Sequence, residues 1–152
     1  MPKVLNTPTG HIVISADTAG VCDIHWEKQA KQSATPTAQE EALATQLEEY
    51  FNGTRQTFEA PLNLAGTPFC KKVWQELLNI PYGQTVTYGE LAKKINSSPR
   101  AVGRAVGTNP CPIVVPCHRV MGANGALTGF SGGDGISTKQ KLLDLEQAHA
   151  HV

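Results

Sequence analysis

The sequence has 152 residues, 40% of them hydrophobic, with 13 basic and 13 acidic side chains. This length fits one compact domain or two small ones that share an interface. No apolar run approaches the ~18 residues of a membrane-spanning helix, and the start "MPKVLNTPTG" lacks the apolar stretch of a secretory signal. We therefore expect a cytoplasmic protein without a membrane partner, in which four cysteines are free thiols: Cys22, Cys70, Cys111 and Cys117.

The charges are unevenly distributed along the chain. Residues 1–68 contain four Lys or Arg and eight Asp or Glu, a net charge of −4, whereas residues 69–152 contain nine and five, a net charge of +4. Such a split can mark a basic region that faces a partner, although charges this few also divide unevenly by chance.

The first part of the chain, residues 1–62, is predicted to be a small α+β unit. The segments "HIVIS" and "VCDIHW" are typical of strands and are separated by the turn residues "ADTAG". Thr37 and Glu40 have capping-box spacing, and the apolar residues that follow recur with helical periodicity until Asn52-Gly53. A short strand near "TFEA" should come next, followed by the linker "PLNLAGTP".

The second part, residues 67–152, is predicted to be mainly helical. Thr67-Pro68 favours a helix start, and "IPYG" ends that helix. Thr87 and Glu90 have capping-box spacing for a short helix "YGELAKKI", and the turn "NSSP" leads into a second helix, "RAVGRAVGTN". Two short helices joined by a tight turn are typical of a helix-turn-helix.

The last predicted helix is "STKQKLLDLEQAHA", with capping spacing between Ser137 and Gln140. The whole pattern predicts an α+β fold. A small N-terminal strand-and-helix domain precedes a mainly helical C-terminal domain, which carries the helix-turn-helix and a reactive-cysteine loop.

The reactive loop is the segment "NPCPIVVPCHRV", in which His118 directly follows Cys117. A thiol attacks as thiolate, and an ordinary cysteine, with a pKa of about 8.5, is only slightly ionised near neutrality, so a neighbouring base would activate it. An acid must then orient the imidazole, and the candidates are Glu146, Asp144 and Asp134. A bare Cys-His pair is more often structural than catalytic. Cys111, between two prolines, is expected to pack in the core.

Several motifs together resemble one family. They are "PCHRV" preceded by "NPCPIVV", a downstream "GFSGG", an upstream "IPYGQTVTYGELA", and "PRAVGRAVGTNP" between them. In this order and spacing they resemble the O6-alkylguanine-DNA alkyltransferases, also called methylated-DNA–protein-cysteine methyltransferases. The resemblance is dense over residues 67–147 and looser before them, through "TPTG", "YFNGTR" and "PL".

The resemblance implies direct DNA repair, in which one alkyl group moves irreversibly from guanine O6 to a protein cysteine. Cys117 would be the acceptor, and His118 would take its proton through a water molecule. Glu146 would orient His118, although two residues more than in some members separate the Gly-Gly pair from this helix. Tyr88 would donate to the base ring, and Asn109 would be the hinge between the recognition helix and the active-site strand.

The resemblance also implies a pocket for a guanine flipped out of the duplex. Pro112 and Phe130 would wall the pocket, and the Ser131 backbone would bond to O6. The backbone carbonyls of Cys117 and Val120 would accept hydrogen bonds from the exocyclic amine.

The implied partner is double-stranded DNA containing O6-alkylguanine, which the protein would enter through the minor groove as a monomer. Arg100 would be the finger that fills the gap left by the flipped base. The implied DNA-binding set also includes Ala101, Gly103, Arg104 and Arg119. No cofactor is implied, because the substrate carries the transferred group. We expect no metal, since Cys22 and His25 are two ligands at most.

Two other functions are weighed against repair. An alkyltransferase-like sensor would flip damaged bases without chemistry, but such relatives replace the cysteine that this chain keeps as Cys117. A plain helix-turn-helix regulator would leave the Cys-His loop and the Gly-rich block unexplained, and a labelling assay separates it from an alkyl acceptor.

Overall fold

A computed structural model of the chain describes residues 2–32, 35–127, 130 and 132–150. The fold is mixed, with a small N-terminal sheet and a helical C-terminal part, which confirms the predicted α+β class. The strands are β1 Lys3–Thr7, β2 Gly10–Asp17, β3 Gly20–Trp26, β4 Val86–Thr87 and β5 Val120–Met121. The helices are α1 Ala38–Phe51, α2 Pro68–Leu77, α3 Tyr88–Lys94, α4 Pro99–Gly107 and α5 Ile136–His149.

The N-terminal sheet is antiparallel in the order β1-β2-β3, and α1 packs against it. Strand β1 is absent from the sequence-based prediction. Its segment "KVLNT" buries only Leu5 and carries little alternation, so the pairing with β2, Val4 opposite Val13, decides its structure. Leu43 and Leu47 of α1 are fully buried in the core beneath the sheet.

The predicted capping box of α1 is confirmed and also ties the helix to the sheet. Thr37 Oγ1 accepts from the Glu40 N–H at 3.1 Å, and Glu40 Oε1 accepts from the Thr37 N–H at 2.9 Å. The second carboxylate oxygen accepts from Ala16 N at 2.9 Å, where the β2–β3 register shifts between Ser15 and Ala16. One buried side chain therefore caps a helix and satisfies a backbone donor at an irregular point of the sheet.

The predicted strand near "TFEA" is wrong, since residues 57–60 form no strand. The segment that follows runs along β3 instead. Val21 N donates to Pro61 O at 2.8 Å, and Asn63 N donates to Val21 O at 2.8 Å. Gly20, with φ +151, permits this approach, because a Cβ there would lie 2.6 Å from the Pro61 carbonyl oxygen.

The helical part follows its local signals at every start except the last. Thr67, Thr87 and Ser98 cap α2, α3 and α4 through their side-chain oxygens. Helix α5 instead begins after Gly135, with no side-chain cap, so the predicted Ser137 cap is wrong. The chain enters this helix through a φ of +68 at Gly135, a conformation that favours glycine over serine at that position.

Contacts between the two parts of the chain place the reactive loop against the N-terminal sheet. Ile24 N of β3 donates to Pro110 O at 2.8 Å. Strand β5, just after the reactive cysteine, pairs in parallel with β4, which leads directly into the helix-turn-helix of α3 and α4. Within the described residues, no helix is long and apolar enough to cross a membrane.

Candidate active site

Cys117 stands at the end of a tightly held loop. It is the first residue of a short 3-10 turn, Cys117–Arg119, and 8% of its surface is exposed. The preceding loop turns back on itself, with Val115 N donating to Cys111 O at 2.9 Å. Ile113 adopts φ +75, which is unfavourable for a β-branched residue and persists only where the surroundings enforce it.

The Asn109 side chain holds the loop around Ile113 in this conformation. Its Nδ2 donates to Val115 O at 2.8 Å, and its Oδ1 accepts from Cys111 N at 2.9 Å. The same side chain stabilises the thiolate of Cys117 and so lowers the pKa of that thiol. Asn109 therefore joins the end of α4 to the loop that carries the reactive thiol.

Burial raises the pKa of the Cys117 thiol, because a thiolate is poorly solvated there. The Asn109 hydrogen bond and the positive charge of Lys139 oppose this shift and lower the pKa. The site holds a protonated thiol at rest and contains the groups that stabilise its anion. Cys111 is fully buried, and burial raises its thiol pKa further, as expected of a packing residue.

His118 and Glu146 form a buried pair. Nε2 of His118 lies 2.5 Å from Glu146 Oε2, and both side chains are at most 1% exposed. Burial lowers the pKa of His118, so the ring is neutral near pH 7 despite the carboxylate. The proton on Nε2 then points to the carboxylate, and Nδ1 carries the lone pair. Within the described part of the chain, Nδ1 has no hydrogen-bond partner.

Glu146 is the acid that reaches the imidazole among the three candidates. Asp144 and Asp134 are exposed, and Asp144 instead accepts from Gln140. Burial alone would raise the pKa of Glu146, but hydrogen bonds and charges from His118 and Arg119 outweigh it and lower the pKa to about 2. The carboxylate is therefore anionic at any working pH.

Arg119 is the main permanent charge partner of Glu146. Its Nε donates to Oε1 at 2.7 Å and its Nη2 donates to Oε2 at 3.0 Å, while Nη1 donates to the Ile80 carbonyl at 2.7 Å. The side chain is 6% exposed. This placement contradicts the assignment of Arg119 to the DNA-binding set, because a buried and fully engaged guanidinium does not reach a phosphate.

A cleft of about 760 Å³ opens in front of the thiol, between the N-terminal sheet and the reactive loop. Cys117, Pro112 and Phe130 line it. Val120 is fully buried and does not line it, although its carbonyl remains near the site and accepts from Lys139 Nζ at 2.6 Å. Ser131, the other predicted pocket residue, lies outside the described residues.

The outer part of the cleft carries ionisable side chains from the sheet, including His11, Asp23 and His25. His25 Nδ1 pairs with Asp23 at 2.6 Å. In the described ranges, no group of three or more His, Cys, Asp or Glu side chains is arranged to hold a metal ion.

Helix α4 presents a small-residue face with two arginines. Arg100 and Arg104 are exposed one turn apart, and Ala101 and Gly103 between them are half-buried. A Cβ at Gly103 would contact the Tyr88 ring at 3.9 Å, so Tyr88 lies beside this helix. Burial, followed by the charge of Cys117, raises the pKa of Tyr88 and keeps its hydroxyl protonated.

Two site residues were missed by sequence reasoning. Lys139 is fully buried beside Cys117, and its seven-residue separation from Glu146 on α5, two helical turns, was the available signal. Tyr50 of α1 donates from its hydroxyl to Glu146 Oε2 at 2.6 Å. No local pattern announces this contact, because the two residues are 96 positions apart.

Comparisons with known proteins agree over nearly the whole chain. The family model for the 6-O-methylguanine DNA methyltransferase ribonuclease-like domain matches residues 2–64, and that for the DNA-binding domain matches residues 68–148. A methylated-DNA–protein-cysteine methyltransferase of Methanosarcina acetivorans is 42% identical over 151 residues, 94% of this chain and 96% of that protein. Its namesake from Haemophilus influenzae is 42% identical over 93% of this chain and 83% of that protein.

Solved structures give the same result. The Mycobacterium tuberculosis O6-methylguanine methyltransferase matches with a TM-score of 0.86 and 38% identity, over 97% of this chain and 93% of that one. The crystal structure of Mycobacterium tuberculosis OGT in complex with DNA matches with a TM-score of 0.85 and 40% identity, over 96% and 92%. With an anionic Glu146, a neutral His118 and a buried thiol in one place, and with relatives that match over more than nine tenths of its length, this chain belongs to the 6-O-methylguanine DNA methyltransferase family.

Proposed function

We propose that this protein repairs DNA by transferring the alkyl group of O6-alkylguanine to Cys117, once per molecule and irreversibly. The observation that carries the proposal is the placement of a buried thiol at an open cleft, next to an imidazole oriented by an anionic carboxylate. The family membership of the chain supports the reaction class.

The chemistry begins with the thiol proton. Nδ1 of His118 is the basic nitrogen of the neutral ring, and it takes the Cys117 proton through a water molecule. Glu146 stabilises the imidazolium that forms, while Asn109 and Lys139 stabilise the thiolate. In a buried site such preoriented charges act strongly, because little water screens them.

The thiolate then attacks the alkyl carbon in line with O6. The carbon–sulfur bond forms, the carbon–O6 bond breaks, and the bonding electrons remain on guanine. Tyr88, whose hydroxyl is protonated at working pH, donates to the base ring and so stabilises the leaving group. The thioether formed on Cys117 is stable and does not release the thiol again, so each molecule reacts once.

Base access requires flipping. O6 faces the partner base inside a duplex, so the nucleotide must leave the stack at a cost of a few kcal/mol. Helix α4 enters the minor groove through its small residues Ala101 and Gly103, and Arg100 fills the vacated step. Arg104, exposed on the same face, contacts the phosphate backbone.

The two predicted units divide the work. Residues 67–152 bind DNA and accept the alkyl group, and residues 1–62 form one wall of the cleft in front of Cys117. The protein acts as a monomer in the cytoplasm, where a reducing environment keeps its four cysteines as free thiols.

Intact mass spectrometry after mixing with duplex DNA that contains O6-methylguanine should show the addition of one methyl group. The modified peptide should contain Cys117, because it is the cysteine among the described residues that lines the cleft and directly precedes His118. Cys111→Ala is the matched control and should still gain the methyl group, whereas Cys117→Ser should not. A methyl group on Cys70 or Cys111, or no methyl group on the wild-type protein, would contradict the proposal. Binding to the damaged DNA without methyl transfer would favour a base-flipping sensor.

Arg100→Ala should slow repair of duplex substrate by about tenfold or more, with the reaction on free O6-benzylguanine unchanged within about twofold. The exposed side chain acts on flipping and not on alkyl transfer. Single-turnover rates on both substrates measure the difference. Arg104→Ala is the control for loss of charge, and its defect should disappear at low salt. Equal losses on both substrates for Arg100→Ala would assign this residue to fold or chemistry.

A further inference from the structure

We propose that Trp26, which belongs to the N-terminal sheet, is a positioning residue for alkyl transfer. It holds Phe130 and Gly132, which form one wall of the cleft, in place. The position of this wall determines how much space the base and its O6 substituent have in the cleft. The inference rests on the proposed function, and it assigns part of the specificity for small alkyl groups to the N-terminal unit.

One edge of the indole is anchored in the sheet. Trp26 is the last residue of β3 and pairs with Ile12 of β2. Its Nε1 donates to Thr9 Oγ1 at 3.1 Å, and Thr9 is itself buried and lies within 2.8 Å of the Thr7 hydroxyl. The ring orientation is therefore determined by the β1–β2 turn and not by the cleft.

The opposite edge of the indole faces the reactive cleft. The Trp26 and Phe130 rings meet edge to face, with centroids 5.8 Å apart and an interplanar angle of 74°. Such pairs have a preferred geometry, so a fixed indole constrains the partner ring. Both rings line the cleft that contains Cys117.

Gly132 shows how closely the wall lies against Trp26. A Cβ on Gly132 would lie closer than van der Waals contact to two indole carbons, Cζ3 and Cε3. It would also lie 3.1 Å from Phe130 Cε2. The glycine backbone thus packs directly on the benzo edge of the indole, which occupies the space that a side chain would need.

The consequence concerns the size of the cleft. The Trp26 indole is anchored at Thr9 and contacts Phe130 and Gly132, so these two residues cannot move away from the cleft. A flipped base carrying a methyl group is then held in the geometry for attack, and a misplacement of about 1 Å can cost up to a hundredfold in rate. A larger O6 substituent fills the space by itself and depends less on the wall.

The test compares single-turnover rates on one duplex carrying either O6-methylguanine or O6-benzylguanine, so that DNA binding cancels in the ratio. Trp26→Leu should slow transfer from the methyl substrate by about tenfold or more and the benzyl reaction much less, so the benzyl-to-methyl ratio rises. Trp74→Leu is the matched control. It replaces the other tryptophan, which donates to Ala105 O and does not line the cleft, and should lower the melting temperature without changing the ratio.

A double-mutant cycle probes the contact itself. Gly132→Ala should slow the methyl reaction because its methyl group collides with the indole, and adding Trp26→Leu should restore part of that loss. Independent losses in the cycle, or an unchanged ratio in Trp26→Leu, would overturn the inference. If Trp26→Leu does not fold, Trp26→Phe takes its place in both measurements, since it removes the benzo edge while keeping a ring against the sheet. The wild-type protein must first gain a methyl group on Cys117, and failure there would overturn the proposed function instead.

Discussion

Glu146→Gln will lower the free energy of unfolding by about 3–5 kcal/mol at pH 7 and slow alkyl transfer by at least about a hundredfold. The carboxylate receives hydrogen bonds from His118, Arg119 and Tyr50 in a fully buried position. The amide keeps the shape and loses the charge, so the guanidinium of Arg119 stays buried without its counter-ion. His118 loses the anion that stabilises its protonated form. Urea unfolding and single-turnover rates measure the two losses.

A second substitution separates the cost of an unpaired charge from the cost of lost packing. The double variant Arg119→Met/Glu146→Gln should recover much of the stability, because replacing both partners of a buried ion pair is far less costly than removing one. It should not recover the rate, since His118 still lacks its anion. A single variant that loses less than about 1 kcal/mol would contradict the ion-pair account.

Glu146→Gln also tests how the free energy of unfolding depends on pH. The pKa of Glu146 falls from an ordinary value near 4.5 to about 2 on folding. A carboxyl whose folded pKa is depressed contributes stability that is complete above its unfolded pKa and is lost as the pH falls towards the folded pKa. A depression of this size corresponds to about 3 kcal/mol. The stability gap between wild type and Glu146→Gln should therefore be constant above about pH 5 and narrow between pH 5 and pH 2.

Asn109→Ala will destabilise the protein by about 2–4 kcal/mol and shift the rate of Cys117 alkylation to higher pH. The substitution leaves two loop groups, Val115 O and Cys111 N, without their partner. It also releases the loop that holds Ile113 at a φ of +75. Removing the hydrogen bond to the Cys117 sulfur raises a thiol pKa that burial has already raised, so fewer molecules carry the thiolate at neutral pH.

The measurement is the rate of reaction with O6-benzylguanine from pH 6 to pH 10, beside a thermal melt. Asn79→Ala, at an exposed position after α2, is the control and should change stability by less than about 0.5 kcal/mol. An unchanged midpoint of the pH–rate curve for Asn109→Ala would show that this side chain organises the loop without stabilising the thiolate.

Three errors of sequence reasoning share a physical origin. Strand β1 exists because β2 offers a partner, and "TFEA" is no strand because the chain beside it uses the edge of β3. The assignment of Arg119 to the DNA-binding set fails because its guanidinium is paired with Glu146. Each of these outcomes depends on residues far away in the sequence.

Local sequence was enough to predict the features that depend on neighbouring residues, such as helix starts. Capping-box spacing located the starts of α1 and α3, and a Thr or Ser directly before proline located those of α2 and α4. The motif order around "PCHRV" identified the family and, with it, the alkyl-transfer reaction. The tertiary structure was needed to show that Glu146 meets His118 while Asp144 and Asp134 do not, that Arg119 and Tyr50 hold that acid, and that Trp26 lies against the cleft wall. These contacts join residues far apart in the sequence. A buried charged or polar group is stable only when it is paired, and the fold determines which partner lies beside it.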